Sequence, residues 1–455
     1  MKRYCKNVDI TDINFITRCI YLWLEGKIGR YSVQHFLSQY SAYSHKEIRN
    51  LVYIRKLDFL DSAVQAIAID IKNRLTTEEL DLPEIQQKLR YDVTCMKTRT
   101  IGIQRPLHQV LDYIATEGCS QLFRAKIGFF QIASIKGKGS SFGVRWIYRW
   151  LRTDPKRTRY YAKADVYHCY PTINHDKIKA RFMRDLKNPK LLWLVCKLID
   201  QFPEGLSLGS HFSQYACNYY LSTLYHYITE QLAKTRKKKN GKTERVRLLS
   251  HCLFYMDDIL ILGSSKKDLE QAMNQICEFT KTELGLKIKS DWFIRQTDYI
   301  GKSGERKGHF IDMMGYRIYR DHITIRRRTF KRMRRAFLRA SWRIKNKKHL
   351  SLIEAQRVVS YAGILSQSNS RNVKSKYHVA EIMRESRRVI SAAGRAGELK
   401  RRRAKDVYES MVTQKTRGSG VSQEQRFDRR SVDSGKYPHG NHCRKPWGGA
   451  GAVCI

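Results

Sequence analysis

The sequence predicts an α+β protein, with a strand-bearing centre between helical segments. Three observations point to this. Apolar residues recur at helical spacing through residues 1–90 (Ile16, Ile20, Trp23, Leu24, then Leu60, Ala63, Val64, Ile67). Between Arg159 and Lys289 short apolar runs alternate with helical patterns. One pair of runs, Leu253-Phe254-Tyr255 and Ile259-Leu260-Ile261-Leu262, has the spacing of a β-hairpin. From Arg326 onward the helical period returns.

In chain order, Pro83 and the polar residues before it mark a joint after the helical segment. Residues 91–151 read as short strand-like runs among helices, with Ile135-Lys-Gly-Lys-Gly-Ser-Ser-Phe-Gly143 as a flexible basic loop. The basic run from Lys234 to Lys242 interrupts the alternating region, and an exposed turn is expected there, before a strand starting near Arg247. Arg326–Arg343 reads as a basic amphipathic helix with Phe330, Met333 and Phe337 on one face. Ser351 and Glu354 form a capping-box pattern ahead of a helix through Val358, Val359, Ala362 and Leu365. Past about residue 395 Arg, Ser and Gly take over, and residues 412–455 are expected to be largely disordered. There is no internal repeat.

The 455 residues carry 87 Lys and Arg against 42 Asp and Glu, a formal charge of +45. Self-repulsion on that scale points to a polyanionic partner, because basic side chains release condensed counterions on meeting phosphate. A short ribosomal-type RNA binder or a membrane-surface protein would share the charge, but not the length or the 26 Tyr. The 11 Cys include no CxxC pair, which argues against a zinc ribbon or a disulfide framework and fits a reducing compartment. The opening MKRYCKNVDITDINF lacks the apolar core of a secretion signal, and no apolar run reaches membrane-spanning length. A soluble, cytoplasmic protein with no membrane partner is expected.

The chemistry is expected from carboxylates. In Leu253-Phe-Tyr-Met-Asp257-Asp258-Ile-Leu-Ile-Leu262 two adjacent acids sit between buried strands. A solvated turn explains such a pair as well as a functional one does, but near buried strands the two charges repel and resist desolvation. A second acid tips the balance. Arg159-Tyr-Tyr-Ala-Lys-Ala-Asp165 reads as a strand ending at Asp165, followed by a turn into a helix. Asp165, Asp257 and Asp258 facing one another could hold two Mg²⁺ ions roughly 3.5–4 Å apart, as phosphoryl transfer by two metals requires. Successive strand residues point to opposite faces, which favours Asp257 over Asp258 as a direct ligand. His168 and His251, beside these strands, read as packing residues, since imidazoles suit Mg²⁺ poorly.

These residues resemble the reverse transcriptase family. Tyr255-Met256-Asp257-Asp258 is similar to its central catalytic motif, and Asp165 with Tyr170 to the motif before it. Further segments follow in family order: Lys97-Thr-Arg99-Thr-Ile-Gly-Ile-Gln-Arg-Pro, Gln131-Ile-Ala-Ser-Ile-Lys-Gly-Lys-Gly139, Leu284-Gly-Leu-Lys287-Ile-Lys289 and Met314-Gly315-Tyr316-Arg-Ile318. The resemblance covers residues from about 90 to 370. It implies a right-hand polymerase: a helical extension over 1–90, fingers over 91–158, a palm over 159–320 built on an antiparallel sheet packed on helices, with a basic insert at 234–247, a helical thumb over 321–395, and a basic, largely disordered tail over 396–455.

It further implies RNA-directed DNA synthesis with two Mg²⁺ ions held by the three carboxylates and the Val166 carbonyl. Lys97, Arg99, Tyr170, Leu208, Gly209 and Met256 would line the deoxynucleotide site. Tyr170 would be the steric gate against a ribose 2′-hydroxyl, and Arg99 would offer its planar fork to the triphosphate. Lys287 or Lys289 would donate a proton to pyrophosphate. Gln214, Gly315, Tyr316, Arg326, Arg327 and Arg334 would contact primer and template. The partners implied are template RNA, the RNA/cDNA duplex and deoxynucleotides.

One departure narrows the resemblance. Most of the family has Gln-Gly, three residues, then Ser-Pro beneath the incoming base. Here the segment is Leu206-Ser-Leu208-Gly209-Ser-His-Phe-Ser213-Gln214. It looks like the variant of reverse transcriptases from diversity-generating retroelements, as do Cys169–Asn174 and the Ile135–Gly139 loop. That group misreads template adenines and works with a small helical accessory protein, a pentamer. Within the family the alternatives are a group II intron-like enzyme, a retron enzyme and an antiphage defence reverse transcriptase. The first usually keeps Gln-Gly…Ser-Pro and the second a Val-Thr-Gly signature, neither of which occurs here. Outside enzymes, the alternative is a basic RNA-binding scaffold with an inactive palm.

Overall fold

The computed structural model describes residues 2–92, 97–238 and 240–418. It is a mixed helical and sheet structure whose sheets are all antiparallel, as the α+β reading expected. The chain divides into two compact units. The first comprises Met1–Val52, Lys56–Arg334 and Ile364–Val373, and the second Tyr53–Arg55, Arg335–Gly363 and Lys374–Ile455.

At the centre of the first unit is a four-stranded sheet in the order His251–Tyr255, Asp258–Gly263, Tyr160–Asp165, Phe293–Gln296. The middle strand Asp258–Gly263 is apolar on both faces, with Ile259 to Leu262 all at most 1% exposed, and so are Leu253 and Phe254 on the edge strand beside it. Helix Lys266–Thr282 covers one face with Leu269, Ala272, Met273 and Ile276. Ser265 caps that helix by accepting a hydrogen bond from Asp268 N at 3.3 Å. The segment 130–132 runs beside the edge strand: Ile132 N donates to Phe254 O at 3.0 Å and Phe254 N to Phe130 O at 2.9 Å. Gln131 is fully buried there, and its amide spans Gly128 N (2.8 Å) and Asn218 O (2.8 Å). Asn218 in turn donates to Ala133 O at 3.0 Å, so a buried polar network ties this segment to helix His211–His226.

The N-terminal segment is helical, as its periodicity indicated. Ile13–Leu24, capped by Asp12, packs on Leu60–Thr77 and on Pro106–Gly118, and Trp23 donates to Gln109 Oε1 at 3.0 Å. Strands begin at Gln86, before the expected boundary at 91: Gln86–Asp92 pairs with Lys97–Ile103. The loop expected over 135–143 is shorter, because helix Ser140–Thr153 starts within it. Gly143 lies inside that helix, where a Cβ would come within 2.4 Å of Ile132 Cδ1. The basic insert is not a simple turn. It is a hairpin of Ala233–Lys237 and Thr243–Arg247.

In the second unit Ser351 and Glu354 make the expected reciprocal cap, with Ser351 N to Glu354 Oε2 at 3.0 Å and Glu354 N to Ser351 Oγ at 3.3 Å. Helix Val379–Gly418 runs through the expected boundary at 395 and through part of the segment expected as disordered tail. Its ion pairs within one turn, such as Arg401 with Glu398 at 3.3 Å, are those that stabilise a polar helix. The remainder of that tail, 419–455, lies outside the described residues. No described helix is long and apolar enough to cross a membrane.

Helix His211–His226 is positioned by a buried acid. Ser210, its N-cap, donates to Asp112 Oδ2 at 2.7 Å, and burial pushes the Asp112 carboxyl up to about 6. The folded state therefore holds this proton more tightly than the unfolded chain. The stability contributed by Asp112 is full below its unfolded value of 3.8 and is lost as pH rises through 6. Asp112→Asn keeps an acceptor without the charge. In urea unfolding, the variant should gain on the wild type by about 2–3 kcal/mol between about pH 4 and about pH 7. A stability difference that does not change with pH would contradict this account.

Candidate active site

The hairpin of the central sheet turns on two residues, Met256 and Asp257. Met256 takes a left-handed φ of +56°, the conformation that two-residue hairpin loops require to match strand twist. Asp258 follows as the first residue of the next strand, directly opposite Asp165 at the end of its own strand. Paired residues of an antiparallel ladder share a face, so the register brings together two carboxylates far apart in sequence. The charge of Asp165 raises the Asp258 carboxyl across the ladder. Asp257 is fastened to the same strand end by Val166 N, which donates to Asp257 O at 3.0 Å.

Burial holds the Asp257 carboxyl above the usual carboxylate range, and the charge of Asp165 adds to it. Asp258 is pushed up to about 6, again by burial first, against an opposing pull from Lys163. Two lysines supply counter-charge. Lys163 Nζ is 3.3 Å from Asp258 Oδ1, and Lys289 Nζ is 3.6 Å from Asp165 Oδ1. Lys163 was not anticipated, although it stands two residues before Asp165 on one strand, where a period of two places both on one face. Lys289 is seated by its own backbone, which donates to Asp165 O at 2.9 Å. Of the two candidate proton donors, Lys289 adjoins the carboxylates. Lys287 is exposed and contributes only its carbonyl, to Tyr167 N at 2.7 Å.

Among the described residues no three His, Cys, Asp or Glu side chains are gathered around one point in ligand positions. The donor set at the strand ends is nevertheless all carboxylate oxygen, the chemistry that suits a hard cation such as Mg²⁺. The burial and repulsion that raise Asp257 and Asp258 are what a bound cation relieves.

Around this centre lie the other anticipated residues. Arg99, in the outer hairpin, is close enough for its charge to favour the ionised form of Asp257. Lys97 opens the same strand, paired with Asp92. That hairpin rests on the segment 207–209. Gly102 N donates to Leu208 O at 3.3 Å, and a Cβ on Gly102 would meet Ser207 Oγ at 2.3 Å. Leu208 is half-buried. Gly209, at φ +116°, was expected to admit a base pair. The close approach that it allows in the structure is to the hairpin strand, with Ile101 Cγ2 and Gly102 O at 3.2 and 3.3 Å from a Cβ placed there. Tyr170 is 9% exposed, and the charge of Asp257 reaches its hydroxyl. Its backbone is wedged by Gly205, where a Cβ would stand 2.2 Å from Tyr170 O. Gln214 is half-buried on its helix, with its carbonyl taken by Asn218 Nδ2 at 3.1 Å.

The hairpin Ile311–Met313 and Tyr316–Ile318 turns through Met314 and Gly315, both left-handed at φ +54° and +86°. Tyr316 was anticipated as a primer–template contact but faces the core. It is 6% exposed and its hydroxyl donates to Ile364 O at 3.2 Å, because in this short sheet Tyr316, its cross-strand partner Met313 and the alternate residue Ile318 all point inward. Arg326 is committed to the hairpin, 2.6 Å from Asp312 Oδ1, with its amide on Gly315 O. Arg327 and Arg334 are exposed on the helix that follows. His251 stacks on Trp150 at 4.7 Å and meets Asp154 at 3.3 Å, a packing role as expected.

Residues 82–301 match the family profile described as reverse transcriptase (RNA-dependent DNA polymerase). No curated protein sequence matches the chain. Among solved structures, the chain is remotely similar to apo telomerase from Candida tropicalis truncated from its C-terminal domain, at 13% identity and a TM-score of 0.38 over 58% of this chain and 60% of that one. It is likewise similar to telomerase from Candida albicans in complex with a fragment of telomeric RNA, at 12% identity and a TM-score of 0.35 over 55% of this chain and 46% of that one. Apo telomerase from Candida tropicalis gives 14% identity and a TM-score of 0.37 over 82% and 80%. The chain thus spans 60% and 46% of the length of the first two. The hairpin and its opposing acid lie inside the matched segment, so residues 82–301, just under half of the chain, are a domain similar to the reverse transcriptase (RNA-dependent DNA polymerase) family.

Proposed function

We propose that this protein copies an RNA template into DNA, with Asp165, Asp257 and Asp258 as the catalytic carboxylates. The observation that carries the reading is the register that sets Asp258 opposite Asp165, at the foot of the turn bearing Asp257. Two Mg²⁺ ions, held by these acids and the Val166 carbonyl, would supply the charge that activates a primer hydroxyl and neutralises the departing pyrophosphate. The chain's own residues do the rest. Lys289, beside Asp165, is the better placed of the two lysines to give a proton to the leaving group. Arg99 and Lys97 bind the triphosphate. Tyr170, buried against the strand end, blocks a 2′-hydroxyl and so selects deoxynucleotides. Met256, Leu208 and Gly209 line the nucleotide, while Gln214, Gly315, Arg327 and Arg334 serve the primer–template.

The same proposal divides the chain into a helical extension, fingers, palm and thumb, and places it in the cytoplasm. Within the family it assigns the protein to the diversity-generating retroelements, with adenine-directed errors and a small helical accessory protein as partner. Supporting this are Leu208 where Gln is usual and Gln214 where Pro is usual. An aliphatic side chain gives packing but no hydrogen-bond donor, so it holds the nascent pair less firmly.

Asp257→Ala should lower primer extension on an RNA template by about 10³-fold or more, since a metal-held carboxylate contributes several kcal/mol to the transition state. Extension at the wild-type rate by a folded variant would end the polymerase reading. Leu208→Gln should reduce misincorporation opposite template adenine, read by sequencing the cDNA. An unchanged error spectrum would remove Leu208 from the explanation of infidelity.

A further inference from the structure

We infer that the outward face of the hairpin Ala233–Lys237 and Thr243–Arg247 is a binding surface for the sugar–phosphate backbone of RNA, separate from the catalytic centre. The inference rests on the reading of an RNA template. The ladder pairs Ala233 with Arg247, Thr235 with Arg245 and Lys237 with Thr243 on one face, and Lys234 with Val246 and Arg236 with Glu244 on the other. The charges are sorted between these faces. On the second, Lys234 Nζ is bound to Asp268 Oδ1 at 2.5 Å, Glu244 holds Lys238 at 3.0 Å, and Lys234 and Val246 are half-buried. At Lys234 and Val246 that face meets the first unit through Asp268, and toward its exposed tip it carries the hairpin's carboxylate, Glu244.

The first face is different. Thr235, Lys237, Thr243, Arg245 and Arg247 are all exposed. Arg245 gives one N–H to Gln231 O at 2.8 Å, which orients the guanidinium without neutralising it. Among the described residues no carboxylate lies within ion-pair distance of Lys237, Arg245 or Arg247. Three uncompensated cations interleaved with two hydroxyls form a set that fits phosphate and ribose oxygens. Alternate residues on one strand stand about 7 Å apart, so Arg245 and Arg247 can serve successive groups of one backbone. The face offers no aromatic or large aliphatic anchor of the kind on which protein partners depend, which favours a nucleic acid over an acidic protein.

The test uses the full chain and a labelled single-stranded RNA of mixed sequence, with affinity measured by anisotropy over a range of salt. Lys237→Gln/Arg245→Gln/Arg247→Gln is compared with Lys234→Gln/Arg236→Gln/Lys238→Gln, which removes the same charge from the same hairpin. The outward triple should flatten the log–log salt slope by about 2 and weaken binding by tenfold or more, since each phosphate contact contributes about 0.7 to the slope for single strands. The inward triple should change the slope by less than half as much. Equal effects of the two triples, or none from the outward one, would overturn the assignment. So would an equal loss of polyglutamate binding, which would mark the face as a site for acidic protein. Should the outward triple melt lower than wild type, Lys237→Gln and Arg247→Gln singly, each expected to lower the slope by about 0.7, decide the matter. Primer extension by the wild type in the same preparation separates the two readings. RNA binding without extension would count against the polymerase, while the face comparison would still stand or fall on its own.

Discussion

Like charges held together at the end of a buried sheet set the terms for the rest of this structure. Asp165 and Asp258 stand opposite each other across the ladder, and Asp257 hangs on the same strand end through Val166 N. Nothing in the folding of a sheet favours this arrangement. Desolvation and mutual repulsion both raise the carboxyls of Asp257 and Asp258. The turn is held there because its flanking strands are among the most deeply buried residues of the chain, and the register that buries them also fixes the acids face to face. A slip of one residue into the ladder would set Asp258 opposite the buried Ala164, so apolar packing enforces an electrostatically unfavourable cluster.

The compensation is local and built from the same elements. Lys163 projects from the strand that ends in Asp165, and Lys289 from the segment that pairs with Val166 through Ile288. Further out, buried polar groups join parts that apolar contact alone would leave free to slide. Asp112 holds the N-terminus of the helix His211–His226, Gln131 and Asn218 join that helix to the sheet edge, and Gly102 seats the outer hairpin on Leu208. The loop carrying Leu208 and Gly209 is thus fixed at both ends, by Asp112 through Ser210 and by the strand residue Gly102. Such networks specify one geometry because each member left unpaired would cost more than it contributes when paired.

Much of this was legible in the sequence where a pattern has a single physical meaning. Apolar runs around Asp257-Asp258 gave the hairpin, helical spacing gave Ile13–Leu24 and Leu60–Thr77, and Ser351 with Glu354 gave a cap that the structure reproduces atom for atom. What was not legible depends on pairing across distance. Asp258 rather than Asp257 standing opposite Asp165 follows from the register, which no local pattern states. Tyr316 reads as a surface aromatic until its strand is placed in a sheet with one face inward. Polar composition likewise hides structure. The basic run beginning at Lys234 lies in a hairpin ladder, Ala233–Lys237 with Thr243–Arg247, and residues up to Gly418 continue a helix that carries ion pairs within a turn.

The chain's charge also takes on a meaning that its net value does not convey. On the proposed function the cluster of acids repels the phosphates it would act upon, and that repulsion has to be overcome over distances longer than an ion pair. A formal charge of +45 does so for the molecule as a whole, but only where cations are free of carboxylates. Lys163 and Lys289 are engaged beside the acids, Arg326 by Asp312 and Lys234 by Asp268. Arg327 and Arg334 on their helix, and Lys237, Arg245 and Arg247 on their hairpin, are exposed. The engaged cations hold geometry, while the exposed ones extend the attractive field outward, screened beyond about 10 Å at 0.1 M salt. Where the acids are concentrated, the bases are bound to them. Where bases outnumber acids on an exposed face, the charge is left for the proposed RNA partner to balance.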